Sequence, residues 1–323
     1  MKISIAMATY NGEKYLQEQL DSFVAQARQP DELVVCDDGS SDATVEILRQ
    51  FAASAPFEVK IHVNESNLGY AKNFEKAMSL CSGDIVFLSD QDDVWLENKL
   101  AEVEQAFLRN PDKMVVINDQ LITDGELRDS GVTKLHNVRK LGLGDSWFVT
   151  GCCTALRKKW LDIIMPIPVG MDMHDAWVNR LADSVGVRLI LESTLQLYRR
   201  HENNVSESVA VKSGNKTASV VSLWTMYGLR DARAGWERDI RNLGEYSKRI
   251  EERRPELEGW VAGETVDGFL VSMNEKRAAL SRRVELASLP RRRRWPNVLS
   301  FWFTGGYRHL SGWKSAAKDL IRP

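Results

Sequence analysis

The chain has 323 residues, 43% of them hydrophobic and 27% charged. This is the composition of a globular protein able to bury a sizeable core, expected as one large domain with an appendage. The formal net charge of −2 selects no partner by itself, because it averages over a basic stretch near the carboxy terminus. No apolar run approaches the roughly 20 residues that cross a bilayer. The chain enters a strand at once at Lys2-Ile3-Ser4-Ile5-Ala6, with no charged-then-apolar leader, so a cytoplasmic protein is expected.

In chain order, Ile3 to Ala8 predicts a strand closed by the turn Thr9-Tyr10-Asn11-Gly12. Tyr15, Leu16, Leu20, Phe23 and Val24 then recur at helical spacing. Leu33-Val34-Val35-Cys36 predicts a second buried strand, ending at Asp37-Asp38-Gly39-Ser40-Ser41-Asp42. Ser41 or Asp42 can cap a helix whose apolar face includes Val45, Leu48 and Phe51. Val59, Ile61 and Val63 alternate as a third strand, and a helix from about Tyr70 to Leu80 leads to a fourth, Ile85-Val86-Phe87-Leu88. Leu96, Leu100, Val103 and Phe107 mark a helix, and Met114-Val115-Val116-Ile117 a strand. Strands are expected at Trp147-Phe148-Val149-Thr150 and Thr154-Ala155-Leu156, and helices at about Lys158 to Ile164 and Asp172 to Val185. Arg188 to Leu191 and Thr194 to Tyr198 read as two further strands. Asn203 to Ser219 reads as a polar loop or linker, and helical patterns follow through Trp236, Ile240, Leu243 and Ile250, then Leu257 to Met273. The four cysteines, Cys36, Cys81, Cys152 and Cys153, lack zinc-site spacing and read as buried reduced thiols.

The stretch Ser89-Asp90-Gln91-Asp92-Asp93-Val94-Trp95 is the most informative. Three acids within four positions repel one another unless a cation sits among them. Mg²⁺ or Mn²⁺ suits such oxygen ligands and completes its shell with substrate phosphates. The alternative is a solvated acidic turn capping the next helix. Alternating strands and helices imply a mainly parallel sheet covered on both faces, where ligands collect beyond the carboxyl ends of the strands. Three strands here end in polar residues: Thr9-Tyr10-Asn11, Asp37-Asp38 and Asp90/Asp92/Asp93. That convergence favours a site over scattered surface.

Thr9-Tyr10-Asn11-Gly12, Val35-Cys36-Asp37-Asp38-Gly39-Ser40-Ser41-Asp42, Asn67-Leu68-Gly69 and Leu88-Ser89-Asp90-Gln91-Asp92-Asp93 occur in the order seen in family 2 glycosyltransferases. With Tyr198-Arg199-Arg200-His201-Glu202-Asn203-Asn204, the chain most resembles the bacterial rhamnosyltransferase-like branch. The resemblance covers about residues 1–205. It implies an α/β GT-A fold, a mainly parallel sheet flanked by helices, as a catalytic domain over 1–205, with a linker and helical carboxy-terminal region over 206–323. Thr9 and Asp38 would contact the nucleobase, with Asp37 alongside, and Tyr10, Asn67, Lys72 and Asp90 would complete the nucleotide side. A carboxylate can accept the N3–H of uracil or thymine. Asp92 would ligate Mn²⁺ or Mg²⁺ on the diphosphate, with Asp93 and His201 as further members of the metal site. Asp175, in Met173-His174-Asp175-Ala176-Trp177, would be the acceptor-side base of an inverting transfer. Many relatives carry Glu-Asp where this chain has His174-Asp175. The implied donor is a UDP- or dTDP-linked sugar, with rhamnose favoured by the branch, and the implied acceptor a glycan or lipid-linked glycan of bacterial surface polysaccharide.

Arg291-Arg292-Arg293-Arg294-Trp295, Phe301-Trp302-Phe303, Tyr307, Trp313 and Lys314 interleave basic and aromatic residues. A peripheral membrane contact through 291–323 is expected ahead of a plain docking helix, and nucleic acid is not expected as a partner. Three other functions compete. Asp90-Gln91-Asp92-Asp93-Val94 partly imitates the nucleophile motif of haloacid-dehalogenase-type phosphohydrolases, but that motif usually follows the first strand and no clear later Gly-Asp-x-x-x-Asp element appears. A noncatalytic nucleotide-sugar or glycan-binding scaffold is the second. Nucleotidyl transfer would want a basic, glycine-rich first loop, which Thr9-Tyr10-Asn11-Gly12-Glu13 is not.

Overall fold

Strand β1 (Ile3–Thr9) lies inside the sheet, flanked in parallel by β2 (Glu32–Asp37) and β4 (Ile85–Ser89), with β3 (Glu58–Val63) beyond β2. The computed structural model describes residues 1–171, 173–202 and 231–322. The segment 203–219, expected as a loop, and Asp172, expected to open a helix, lie outside the described residues. The chain divides into two compact units, Met1–Asn215 and Lys216–Pro323.

In the first unit the sheet runs β3-β2-β1-β4-β8-β6-β9-β5, where β5 is Val94–Trp95, β6 Val115–Thr123, β8 Thr154–Arg157 and β9 Arg188–Arg199; β7 (Asp129–Thr133) pairs with β6 off this path. The first four strands are parallel because each is returned by a helix: α1 (Leu16–Val24), α2 (Thr44–Ala52) and α3 (Tyr70–Leu80). Beyond them β8 inserts antiparallel to both β4 and β6, and β6 pairs in parallel with β9. Ile3, Ile5, Met7, Leu33, Val35, Ile85 and Phe87 form one core with Leu16, Leu20 and Phe23 of α1 and with Leu100, Val103 and Phe107 of α4 (Lys99–Arg109). Each such buried side chain contributes about 1.5–3 kcal/mol. A second core joins Ile117, Ile122, Leu135, Val138, Phe148 and Tyr198.

Several local expectations change. Residues 147–150 do not form a strand: Asp145–Trp147 is a 3-10 turn, and Trp147 is exposed. The backbone carbonyls there are taken by side chains, Phe148 O by Arg188 at 2.9 Å and Val149 O by Lys134 at 2.7 Å, so no ladder is needed to satisfy them. The two strands expected between Arg188 and Tyr198 are one, with a register shift where it pairs with Asn118 and Asp119. The hairpin strand β7 and the following α5 (Lys134–Lys140) were not legible as separate elements. The expected helix near Lys158 is a 3-10 turn followed by α6 (Leu161–Ile164), and α7 spans His174–Ser184.

The second unit is helical: α8 (Arg233–Glu252), α9 (Arg254–Glu258), α10 (Gly263–Ala287), α11 (Arg291–Phe303) and α12 (Trp313–Ile321). A buried fork joins Arg283 to Asp319 at 2.7 and 2.6 Å, and the Tyr307 hydroxyl donates to the same carboxylate at 2.9 Å. Arg294 turns inward to donate to Arg322 O at 2.7 Å, whereas Arg291, Arg292 and Arg293 are exposed. Among the described residues, no helix is long and apolar enough to cross a membrane.

Candidate functional site

The registers Thr9↔Asp37 and Met7↔Ser89 align the ends of β1, β2 and β4 on one edge of the sheet. The loops that follow them form a single polar rim, at the place where open α/β sheets collect ligands.

On the β1–β2 side the carboxylates are fully engaged. Asp37 accepts from Thr9 Oγ1 at 2.8 Å, Ser40 N at 2.8 Å and Ser40 Oγ at 2.6 Å. Asp38, only 3% exposed, accepts from Asn64 Nδ2 at 2.9 Å, Leu68 N at 2.7 Å and Gly69 N at 2.9 Å. Gly69 has φ +82°, a left-handed conformation that lets the chain turn into α3 while its N–H meets Asp38. Behind them, Asn73 Nδ2 donates to Cys36 O at 2.7 Å and Asn64 Nδ2 to Asn73 Oδ1 at 2.9 Å. Asn67 is exposed and accepts from Gly69 N at 3.0 Å. The Tyr10 side chain is half exposed, while its backbone is clamped by Gln91, which accepts from Tyr10 N at 2.9 Å and donates to Tyr10 O at 3.1 Å. The Lys72 ammonium donates to Glu75 at 2.6 Å and to Ile167 O at 2.8 Å.

On the β4 side the acids crowd. Burial, then the charges of Asp92 and Asp175, push the Asp90 carboxyl up to about 7. Burial, then Asp92 and Asp90, hold Asp93 well above the usual carboxylate range. Asp92 meets His201 at 2.8 Å between Oδ2 and Nε2. Asp93 is fully buried and accepts from Arg199 N at 3.1 Å and from Gln196 Nε2 at 3.0 Å. Gln196 in turn accepts from Lys99, whose buried ammonium also donates to Cys152 O at 2.7 Å and lies 4.0 Å from the Trp95 ring centroid. The Arg199 guanidinium donates to Asp92 O at 2.9 Å and to Glu18 at 2.6 Å and stacks on Tyr15 at 4.4 Å. Asp93 and Arg199 thus lace the end of β9 to the acidic loop, which is what carries His201 to Asp92.

Asp90, Asp93 and Cys152 present ligand atoms within 4.8 Å of one another. Burial holds the Cys152 thiol well above its ordinary range, and a hard cation prefers the carboxylate oxygens to sulfur. Mutually repelling, proton-hungry carboxylates fit a hard divalent cation such as Mn²⁺ or Mg²⁺. Asp175 stands in the first turn of α7, where its Oδ1 accepts from Ala176 N at 2.7 Å, and its charge is felt at Asp90. The rim therefore brings together Thr9, Asp37 and Asp38 on one side and Asp90, Asp92, Asp93, His201 and Asp175 on the other.

Sequence reasoning passed over Gln91, Lys99, Gln196 and Arg199. Lys99 carried a usable signal, since with Val103, Ala106 and Phe107 it falls on the buried stripe of α4, where a lysine needs a reason. Gln196 carried none, being a polar residue in an apolar strand.

Comparison with known proteins bears on the family and the fold. The family described as Glycosyl transferase family 2 matches residues 4–164. The Escherichia coli protein WfgD, a UDP-Glc:alpha-D-GlcNAc-diphosphoundecaprenol beta-1,3-glucosyltransferase, is 31% identical over 232 residues, covering 70% of this chain and 85% of its own. The dTDP-rhamnosyl transferase RfbG of Shigella flexneri is 28% identical over 67% of this chain and 78% of its own. The match to the uncharacterized Mycobacterium tuberculosis protein Rv1520, 29% identical over 64% of this chain, spans 61% of that protein's length. In fold, the chain is similar to Staphylococcus aureus TarS 1-349 in complex with UDP-GlcNAc, with a TM-score of 0.54 at 19% identity, over 87% of this chain and 86% of that one. The chain has the GT-A architecture expected from the motifs, an α/β sheet domain with a helical carboxy-terminal region. The chain belongs to glycosyltransferase family 2.

Proposed function

We propose that this protein is a metal-dependent, inverting glycosyltransferase. It moves a sugar, with rhamnose first among candidates, from a UDP- or dTDP-linked donor to a glycan or lipid-linked glycan of bacterial surface polysaccharide. The observation that carries this reading is that Asp175 packs beside Gly151, 3.5 Å from where a Cβ of that residue would stand, next to Cys152 of the cluster with Asp90 and Asp93. An acceptor-side carboxylate and a diphosphate-side cluster then face one space.

Asp38 and Thr9, with Asp37 alongside, form the base end of the donor site, and Tyr10, Asn67, Lys72 and Asp90 belong to its nucleotide side. The rigid hydrogen bonding of Asp37 and Asp38 makes that end preformed. Asp92, Asp93 and His201 would hold the divalent ion, with Asp90 beside Asp93 on the nucleotide side. An ion bound there supplies charge that offsets the departing diphosphate. Asp175 takes the proton of the acceptor hydroxyl as its oxygen bonds to the anomeric carbon and the carbon–oxygen bond to the diphosphate breaks.

The names of RfbG and WfgD support rhamnose and a lipid-linked acceptor respectively. A lipid-linked acceptor suits an enzyme resting on the cytoplasmic face of the membrane through residues 291–323. On α11, Trp295, Leu299, Trp302 and Phe303 recur at helical spacing and are 57, 47, 38 and 83% exposed, beside the exposed Arg291, Arg292 and Arg293. This basic, aromatic face suits an anionic bilayer.

Calorimetric titration of UDP, dTDP, GDP and CMP, with and without Mn²⁺ or Mg²⁺, tests the donor assignment. Metal-dependent binding confined to UDP or dTDP is expected. If no nucleoside diphosphate binds, the donor assignment is lost. Flotation with anionic liposomes checks the membrane contact, which should weaken when Trp295, Trp302 and Phe303 are changed together to Ser.

A further inference from the structure

Lys99 opens α4 and is 1% exposed, and a lysine is almost never buried so completely unless it is paired. Its ammonium donates to Cys152 O at 2.7 Å and to Gln196 Oε1, and lies 4.0 Å from the Trp95 ring centroid, a setting that suits a cation. Neither hydrogen bond goes to a carboxylate. What the partners share is their place. Gln196 stands opposite Trp95 in the β5–β9 ladder, two residues beyond Asp93, and Cys152 belongs to the cluster with Asp90 and Asp93.

A glutamine amide carries an oxygen that only accepts and a nitrogen that only donates, so whatever faces one end fixes the other. With the ammonium against Oε1, the Gln196 nitrogen faces Asp93 and donates to Oδ2 at 3.0 Å, with Cys152 Sγ at 3.1 Å and Gln120 Oε1 at 3.4 Å. A reversed amide would set its NH2 against the Lys99 ammonium and its oxygen against the Asp93 carboxylate, and both contacts repel. Asp93 Oδ1 accepts from Arg199 N at 3.1 Å. Each Asp93 oxygen is therefore held by one donor from β9 and keeps a further lone pair. The Arg199 bond is a main-chain bond and needs no side chain; the Gln196 bond exists only while the amide faces the right way. A carboxylate already held in place has less freedom to lose when a cation binds.

We propose that Lys99 and Gln196 are positioning residues of the cation site: Lys99 fixes the Gln196 amide, and the amide fixes the Asp93 carboxylate in the orientation that receives a divalent ion. The proposal rests on the metal assignment made above. Its test separates the two by comparing variants with a wild type whose own Mn²⁺ uptake is measured first.

Mn²⁺ is titrated into the full chain in the presence of UDP or dTDP, and free Mn²⁺ is read by electron paramagnetic resonance against a protein-free blank. The same is done for Lys99→Met, Gln196→Met and the double variant, and denaturant midpoints of all four are taken in EDTA. Methionine is close to both side chains in length and donates no hydrogen bond. Each single change should weaken Mn²⁺ binding by about tenfold, the scale of a lost partner behind a metal ligand. The double variant should also lose about tenfold rather than a hundredfold, because both residues act through one bond to Asp93. Stability should part company with affinity. Each single change leaves a buried polar group unpaired and lowers the midpoint, whereas the double variant removes both ends of the Lys99–Gln196 pair and should regain part of it. A double variant that regains Mn²⁺ affinity along with its midpoint overturns the proposal, since a purely structural pair would behave so. Unchanged Mn²⁺ affinity in Gln196→Met, which keeps the Lys99 charge, overturns it as well. Tighter Mn²⁺ binding in Lys99→Met also overturns it, by showing that the ammonium acts as a competing charge. A wild type that takes up no Mn²⁺ with either nucleotide overturns the metal assignment, and the positioning role with it.

Discussion

The two halves of the polar rim are built from the same residue type to opposite ends. Asp37 and Asp38, at the end of β2, accept from hydroxyls, an amide and backbone N–H groups, and this part of the rim is complete as it stands. Asp90 and Asp93, after β4, are pressed against one another and against Asp92, and their affinity for protons rises. The first half spends its carboxylates on shape; the second stores repulsion that only a proton or a cation relieves. A preformed base end beside an electrostatically unsatisfied diphosphate end is what a donor site with a metal needs.

Substitutions can break this comparison in order of expected effect. Asp175→Asn should cut transfer by about a hundredfold or more, the scale of a lost general base, while metal-dependent nucleotide binding persists. Single-turnover transfer alongside calorimetry measures both, and substantial remaining transfer would move the base to another residue. Asp92→Ala comes next. It should abolish the metal dependence of UDP or dTDP binding without harming the metal-free fold, because it removes one of three crowded charges. Intact metal-dependent binding would strike Asp92 from the metal site. Asp38→Ala should do the reverse. It leaves the Leu68 N–H and one N–H of the Asn64 amide without an acceptor, while the Gly69 N–H keeps Asn67, for a loss of about 3 kcal/mol in denaturant unfolding. If Asp38→Ala and Asp92→Ala destabilise the metal-free protein equally, the contrast between the two halves is wrong.

The sequence announced these carboxylates but not the difference between them. Apolar runs ending in acids revealed β2 and β4, and the strand–helix alternation revealed the parallel order of the first four strands, because both are local patterns. What separates Asp38 from Asp90 is who faces them. Asp38 is met by Asn64, Leu68 and Gly69, 26 to 31 positions away, and Asp93 by Gln196 and Arg199, 103 and 106 positions away. No window of sequence holds such pairs. The same applies to the antiparallel insertion of β8 between β4 and β6, which depends on pairing across the sheet and leaves no periodic trace. Residues 147–150 looked like a strand for the complementary reason. Their apolar character was visible, but the Lys134 and Arg188 side chains that occupy their carbonyls were not. The phosphohydrolase alternative drew on the Asp90–Val94 stretch alone and is set aside by family membership, which rests on motifs spread over the domain.

The smallest expected effect is also the most direct reading of the stored repulsion. Asp90 is raised from an ordinary 3.8 to about 7, so between those values the folded state keeps a proton that the unfolded chain has released. Folding is then favoured below about pH 4 and loses this contribution progressively as pH rises through 7, the opposite of the usual salt-bridged carboxylate. Asp90→Asn cannot titrate and escapes the loss. In EDTA the thermal midpoint of the variant should therefore gain on the wild type by a few degrees between pH 5 and pH 8. Excess Mn²⁺ at pH 8 should narrow the gap, because a bound cation stabilises the charged wild-type site by mass action. An offset between the two proteins that is the same at both pH values would mean that Asp90 is already relieved by its surroundings, and the β4 side of the rim would then be as complete as the β2 side.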